Sequence, residues 1–244
     1  MERILRISVY QREFPIGILL NARQRGEMNR SIARSIIYDT LSLCYTCPDE
    51  KVCSWAAGEA WGKPVREALC FLFENGQTEC LRNFEELIST RGAETPQEMV
   101  REYRRLFGNS FPPVIVPPSG FSYRDKEGPV FGETAPEVLH FYLENGFALK
   151  GAMRDFPDHI AHELEFMGYL AERAAVVEGN EKIKLEERQM NFFSRFLLPW
   201  VPIFCKRIAA QTRLTFYRNL SCLTCEFIYF EKNYLGVPEE VDSQ

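Results

Sequence analysis

The sequence predicts an all-α fold, a single-domain helical bundle, on three observations. Ile160, Leu164, Met167, Ala171 and Ala174 recur at steps of three and four, the period of one helical face. Helix-start signals stand at Thr95-Pro96-Gln97-Glu98 and again at Thr134-Ala135-Pro136-Glu137: a capping threonine, a proline in the first turn, a glutamate three residues on. Sustained period-two alternation, the mark of a half-buried strand, is confined to the first ten residues.

Taken in order, residues 1–28 form an extension of uncertain structure in which Ile4, Ile7 and Val9 can begin a strand. The helical domain is expected over 29–244. Ile32, Ile36, Ile37, Leu41 and Cys44 mark a helix from Asn29 to about Tyr45, stopped by Cys47-Pro48-Asp49. A second is expected from Pro64 to Phe73, and a third capped by Thr78. The helix begun at Thr95 runs to Phe107, with Gly108 as its terminator, and the one begun at Thr134 ends at Asn145-Gly146. Between them residues 108–133 hold five prolines and four glycines. So long a connection within a compact domain is usually functional or disordered. Its apolar content (Phe111, Val114, Ile115, Val116, Phe121, Tyr123) favours an ordered loop packed on the helices. The helix at 154–175 is expected to be amphipathic, started by Pro157 with Asp155 or Asp158 as cap, and to turn His162, Glu165, Tyr169, Glu172 and Arg173 outward. Glu181–Leu198 forms one further helix, Pro199 and Pro202 break it, and Phe204 to about Tyr234 completes the bundle.

At 244 residues the chain has ample material for a core, and 45% hydrophobic and 26% charged residues are ordinary for a soluble protein. A net charge of −5 argues against a general nucleic-acid binder and suits a positive partner. No apolar run approaches the roughly 20 residues that cross a bilayer. The first residues lack an apolar signal-peptide core, so a cytoplasmic location is expected. Eight cysteines in that compartment are read as thiols or metal ligands rather than disulfides.

Pro157-Asp158-His159-Ile160 followed by Glu163-Leu164-Glu165-Phe166-Met167 resembles the signature of the TorD/DmsD/NarJ family, the maturation chaperones of molybdenum redox enzymes. Four further pieces agree in order and spacing. They are Ile36-Ile37-Tyr38 with Leu41, Leu43 and Pro48-Asp49; Tyr103-x2-Leu106-Phe107 leading to Pro117-Pro118-x4-Tyr123-Arg124; Tyr142-x3-Gly146-Phe147; and Leu197-Leu198-Pro199-Trp200-x3-Phe204. The resemblance covers roughly residues 30 to 235. Two departures matter: Gly120 and Phe121 stand where the family usually has an acid and a serine, and Phe196 where a histidine is common. Roles tied to those side chains do not carry over.

The resemblance implies a non-enzymatic chaperone that binds the precursor of a molybdopterin-dependent oxidoreductase and assists cofactor insertion. In several branches it also shields the twin-arginine signal peptide. No cofactor, nucleic acid or membrane insertion is implied, and the state is a monomer or homodimer. A twin-arginine peptide offers guanidinium groups followed by an apolar stretch, so its receptor needs carboxylates beside an apolar groove. Asp158, Glu163 and Glu165, with His159 and Pro157, are candidates for the first; Phe121, Tyr123, Phe166 and Trp200 for the second. A helix cap and a surface histidine are the plainer account of Asp158 and His159. His159-x2-His162-Glu163 departs from the zincin spacing. Cys44-x2-Cys47-x5-Cys53 and Cys222-x2-Cys225 supply two thiol clusters, which leaves open a cysteine-ligated metal or iron–sulfur redox-sensing protein, or merely small buried side chains.

Overall fold

The computed structural model describes residues 6–7, 28–48, 62–73, 79–89, 94–108, 114–124, 134–149 and 156–238. Cys53, Trp55, Trp61, Thr78, Phe111 and Asp155 lie outside these, as do residues 1–27 apart from Arg6 and Ile7. The expected all-α class holds. In chain order the elements are β1 Arg6–Ile7, α1 Arg30–Cys44, α2 Gly62–Leu72, α3 Glu79–Ser89, α4 Pro96–Phe107, the single turn α5 Phe121–Arg124, α6 Thr134–Glu144, β2 Phe147–Ala148, α7 Ile160–Ala175 and α8 Gly179–Phe192. A π-helical turn Phe193–Leu197 leads to α9 Val201–Gln211 and α10 Thr215–Tyr234. No helix among the described residues is long and apolar enough to cross a membrane.

Local chemistry accounts for the well-placed boundaries. Asn29 caps α1 by accepting the Ile32 N–H at 3.0 Å, and Thr95 with Glu98 forms the expected reciprocal box at the start of α4. Gly108 does end α4, but in an extended conformation (φ −78°, ψ 143°) rather than a left-handed one, its N–H bonded to Arg104 O. Thr134 is the first helical residue of α6 and not its cap.

Helix α1 packs along α7 at the centre; α2 and α8 flank that pair, and α3 and α9 pack on α10. The two central helices approach so closely that a Cβ on Gly168 would lie 2.5 Å from Asp39 Oδ1. A larger residue there would have to push the Asp39 carboxylate aside. This packing overturns the expected polar side of α7: every residue from Ile160 to Ala171 is buried, His162, Glu165 and Tyr169 included. The helix lies between layers instead of on a surface, and neighbours satisfy several of its polar groups. Ser42 Oγ donates to Ala161 O at 2.7 Å, and the Tyr169 hydroxyl to Asn145 O at 3.1 Å.

The C-terminal third is more broken than the sequence suggests. Residues 204–234 form two helices, parted at Thr212–Leu214 by carboxylates from α4 and the residues before it. Glu102 Oε1 accepts the Arg213 N–H at 2.6 Å and the Thr212 hydroxyl at 3.2 Å, while Glu94 Oε1 accepts the Thr215 N–H at 2.8 Å. Arg105 forks onto Glu102, both bonds at 2.7 Å. A buried clamp joins the ends of the fold: Arg34 on α1 grips Glu231 on α10 through Nε–H to Oε1 at 2.7 Å and Nη2–H to Oε2 at 2.6 Å, and the Tyr38 hydroxyl adds a third bond at 2.8 Å. The short strands pair in parallel, Arg6 opposite Phe147 and Ile7 opposite Ala148.

Candidate functional site

The central loop returns to the structure at 114–124 as an ordered strap laid over the start of α7. Its Val116 N–H bonds Leu106 O at 2.9 Å, fixing one end to α4. Further along, the Ile160 N–H reaches Pro118 O at 2.8 Å, Ser119 bridges His159 in antiparallel fashion, and the Gly120 N–H reaches Asp158 O at 3.0 Å. The Asp158 carboxylate accepts the Phe121 N–H at 2.9 Å, at the start of α5. Asp158 therefore ties down the strap. The cap of α7 is His159, whose Nδ1 accepts the Ala161 N–H at 3.2 Å, and Pro157 stands outside the helix. These placements replace the expected cap by Asp155 or Asp158 and the expected first-turn proline.

Beneath the strap, Tyr123 stacks on Trp200, centroids 5.4 Å apart and planes 29° apart, and its hydroxyl donates to Pro117 O at 2.9 Å. The Trp200 indole N–H donates to Glu163 Oε2 at 3.1 Å. Glu163 is 0% exposed, and its other oxygen, Oε1, has no hydrogen-bond partner. Burial, and then the charge of Asp158, push the Glu163 carboxyl well above its usual range; the Trp200 N–H and Arg124 pull the other way. Burial also lowers His162 to about 4, and burial together with His162 lowers His159 to about 3, so both imidazoles are neutral near pH 7. The two rings lie 5.6 Å apart.

One departure from the family pattern now has a steric reason. A Cβ on Gly120 would meet the Trp200 indole Nε1 at 3.1 Å, so a larger residue there presses on the Trp200–Glu163 bond. Two residues that sequence reading missed belong here as well. Arg207 on α9 lays its guanidinium 4.7 Å over the ring of Tyr123, and Arg124 sits 5.5 Å over Phe196. Arg124 closes the Tyr123-Arg124 piece of the motif without any contact being legible from it, and Arg207 has no sequence signal, because each acts across elements far apart in the chain.

The structure brings Pro157, Asp158, His159, Glu163, Phe121, Tyr123 and Trp200 together. Glu165 acts by its charge on Tyr142, as Asp158 and Glu163 do, and Phe166 lies on another face of α7. Phe166 packs in an aromatic cluster with Tyr142 at 4.7 Å, Phe192 at 4.7 Å and Phe147 at 5.4 Å. Tyr142 links this cluster to the site by donating its hydroxyl to Pro157 O at 2.9 Å. The expected open groove lined by carboxylates is not present in this conformation, since Asp158, Glu163, Glu165, Phe166 and Trp200 are each no more than 1% exposed.

No group of three or more His, Cys, Asp or Glu side chains is arranged to hold a metal among the described residues. Cys44 is buried and its thiol is pushed up to about 12, Cys47 is exposed, and Cys222 and Cys225 are half-buried with raised thiols. The burial of Cys44 and the partial burial of Cys222 and Cys225 disfavour the thiolate that ligates metals.

A sequence model of the family described as nitrate reductase delta subunit matches residues 73–206, a span that contains the strap, the Pro157–Glu163 motif and Trp200. Individual relatives agree. The chaperone protein TorD of Vibrio vulnificus is 27% identical over 114 residues, 46% of this chain and 53% of that one. A selenate reductase assembly chaperone protein from Thauera selenatis is 36% identical over 76 residues, 30% of this chain and 39% of that one. A chlorate reductase assembly chaperone protein from Ideonella dechloratans is 34% identical over 102 residues, 41% of this chain and 52% of that one. The matches thus span about half or less of these relatives' lengths. With more than half of this chain inside the family match and the five motif pieces in register, the chain belongs to the nitrate reductase delta subunit family, the TorD/DmsD/NarJ group.

Proposed function

We propose that this chain is a cytoplasmic maturation chaperone, not an enzyme. It binds the precursor of a molybdopterin-dependent oxidoreductase and holds it for cofactor insertion, with residues 29–244 as the working domain. The observation that supports this best is that the family match covers the whole strap–α7–Trp200 assembly, while the matched relatives are named as chaperones, two of them for reductase assembly.

The geometry supports a particular role for the site residues. Asp158 acts through the strap: it holds Phe121 and Tyr123 in place, and the outer face of the strap receives the twin-arginine leader of the client. Trp200 and Glu163 support Tyr123 from below. Phe121 and Tyr123 are partly exposed and Ile115 is 38% exposed, so an apolar stretch of peptide has a surface to lie on. Micromolar affinity, about −8 kcal/mol, suits a client that must later leave.

The test is calorimetric titration of a twin-arginine peptide, beside co-purification of the cofactor-free oxidoreductase precursor. Binding of either supports the reading, and the one that binds identifies the gripped part. If neither binds, the chaperone assignment fails.

A further inference from the structure

Resting on the chaperone reading above for the identity of the partner, we propose that the outward stripe of α9, with Arg101 and Arg213 beside it, is a second contact for the client. Its occupant is a carboxylate-bearing segment of the oxidoreductase body, separate from the leader.

Charge is segregated along this chain. The whole sequence has 34 acidic and 29 basic residues, yet residues 188–225 hold six arginines and lysines and no aspartate or glutamate. Helix α9 lies inside that stretch. Its Val201, Phe204, Cys205 and Ile208 are buried. Ile203, Lys206, Arg207 and Ala210, also at steps of three and four, are all exposed, Ile203 at 44%.

Three contacts set this stripe among further elements and cations. Arg207 lies over the Tyr123 ring at 4.7 Å, which puts the stripe against the strap. Arg105 on α4 donates to Gln211 O at the end of α9 at 2.6 Å, one turn from the exposed Arg101. Arg213 follows, held by its backbone N–H on Glu102, with its side chain exposed. The acids of this edge are already engaged. Glu102 forks with Arg105, Glu98 closes the capping box at Thr95, and Glu94 accepts the Thr215 N–H. Positive charge is left around one bulky apolar side chain.

That composition selects the partner. Guanidinium groups meet carboxylates in a fork geometry, and charges at the rim of an interface speed association with a surface of opposite sign. Ile203 adds an apolar contact between the cations. Like charge keeps an arginine-rich leader off the stripe, so the occupant is another part of the client. A membrane surface fits less well, since the stripe's single isoleucine inserts little apolar area and a net charge of −5 opposes anionic lipid.

The test is Lys206→Glu with Arg213→Glu. Both side chains are exposed, and the Glu102 bond uses the Arg213 backbone, which substitution keeps. The milder Lys206→Gln with Arg213→Gln serves if charge reversal lowers the melting temperature. Calorimetric titration of the cofactor-free oxidoreductase precursor should show affinity about tenfold weaker for the reversed variant and about threefold weaker for the neutral one, with a flatter salt dependence in both. Carbodiimide coupling in the unaltered complex should join Lys206 Nζ to an aspartate or glutamate of the precursor body. Precursor affinity and salt dependence unchanged in both variants would overturn the proposal and leave the chaperone reading standing. A precursor that fails to bind even the unaltered chain overturns both. Coupling of Lys206 only within the leader would overturn the body segment as occupant. So would unchanged precursor affinity beside loss of binding to vesicles of equal parts phosphatidylcholine and phosphatidylglycerol, which would make the stripe a membrane contact.

Discussion

Two buried charged clusters sit at opposite sides of α1 and α7, and they are built on opposite rules. At the Arg34–Glu231 clamp each carboxylate oxygen meets a guanidinium N–H, Tyr38 adds a bond, and Tyr234 lies 4.2 Å beneath the guanidinium. Burial is the largest single influence and lowers the arginine's pKa, yet the Glu231 charge, its hydrogen bonds, Tyr38 and Tyr234 together outweigh it and the pKa is raised. At the strap, Asp158 and Glu163 lie near one another with N–H donors from Phe121 and Trp200, and one Glu163 oxygen is left without a partner. The first arrangement pairs opposite charges, although Arg34 Nη1 has no hydrogen-bond partner, and serves stability. The second leaves a carboxyl strained in its ionisation, which is what functional sites do more often than scaffolds. The difference teaches where to look for function: at the cluster that is not internally balanced.

The sharpest way to break the comparison is at the clamp. Glu231→Ala leaves a guanidinium buried without its counter-ion and should cost about 3–5 kcal/mol, read by urea unfolding. A loss under 1 kcal/mol would mean that the clamp is not a structural device. Next in size, Trp200→Phe removes the indole N–H from Glu163 and should cost about 1–3 kcal/mol. Adding Glu163→Leu should return part of that loss, a coupling that a double-mutant cycle measures.

A third prediction concerns pH. His162 is neutral when folded, with its pKa near 4, and takes a proton near 6.5 when unfolded. The unfolded state therefore binds more protons between those values, and stability falls as the pH drops from about 6.5 toward 4, by up to about 1.4 kcal/mol per pH unit. Glu163 works with the opposite sign. Its raised folded pKa makes the folded state the better proton binder above about 4.3, so its contribution falls as the pH rises. Glu163→Gln removes that opposition, and melting temperature plotted against pH should then climb more steeply between pH 4.5 and 6.5. An unchanged slope would show that Glu163 titrates normally. The smallest effect belongs to the exposed Arg66–Glu85 pair: despite its fork geometry, Arg66→Ala should cost less than about 1 kcal/mol.

Much of the fold was legible because its signals are local. The capping box at Thr95 and the cap at Asn29 each need only three or four adjacent residues. What the sequence hid was non-local. The break at Thr212–Leu214 is made by Glu94 and Glu102, more than a hundred residues earlier, and the burial of both sides of α7 follows from α1 and α8 packing on it. The sequence pointed to residues that the structure brings together around the start of α7, but not to their burial. The spacing put Glu163 one turn after His159 at the start of the helix, yet nothing in that spacing shows that residues 114–124 fold back over them.

The most direct test of the central claim is one pair of measurements on Asp158→Asn: calorimetric affinity for a twin-arginine peptide, and melting temperature. The Asn side chain keeps an acceptor for the Phe121 N–H but loses the charge that strengthens that bond, worth about 1.5–3 kcal/mol when the acceptor is ionised. If the strap is the client platform, affinity falls about tenfold while the melting temperature stays within a few degrees. Equal affinities with a lowered melting temperature would contradict the account, making the Asp158 cluster a second structural clamp.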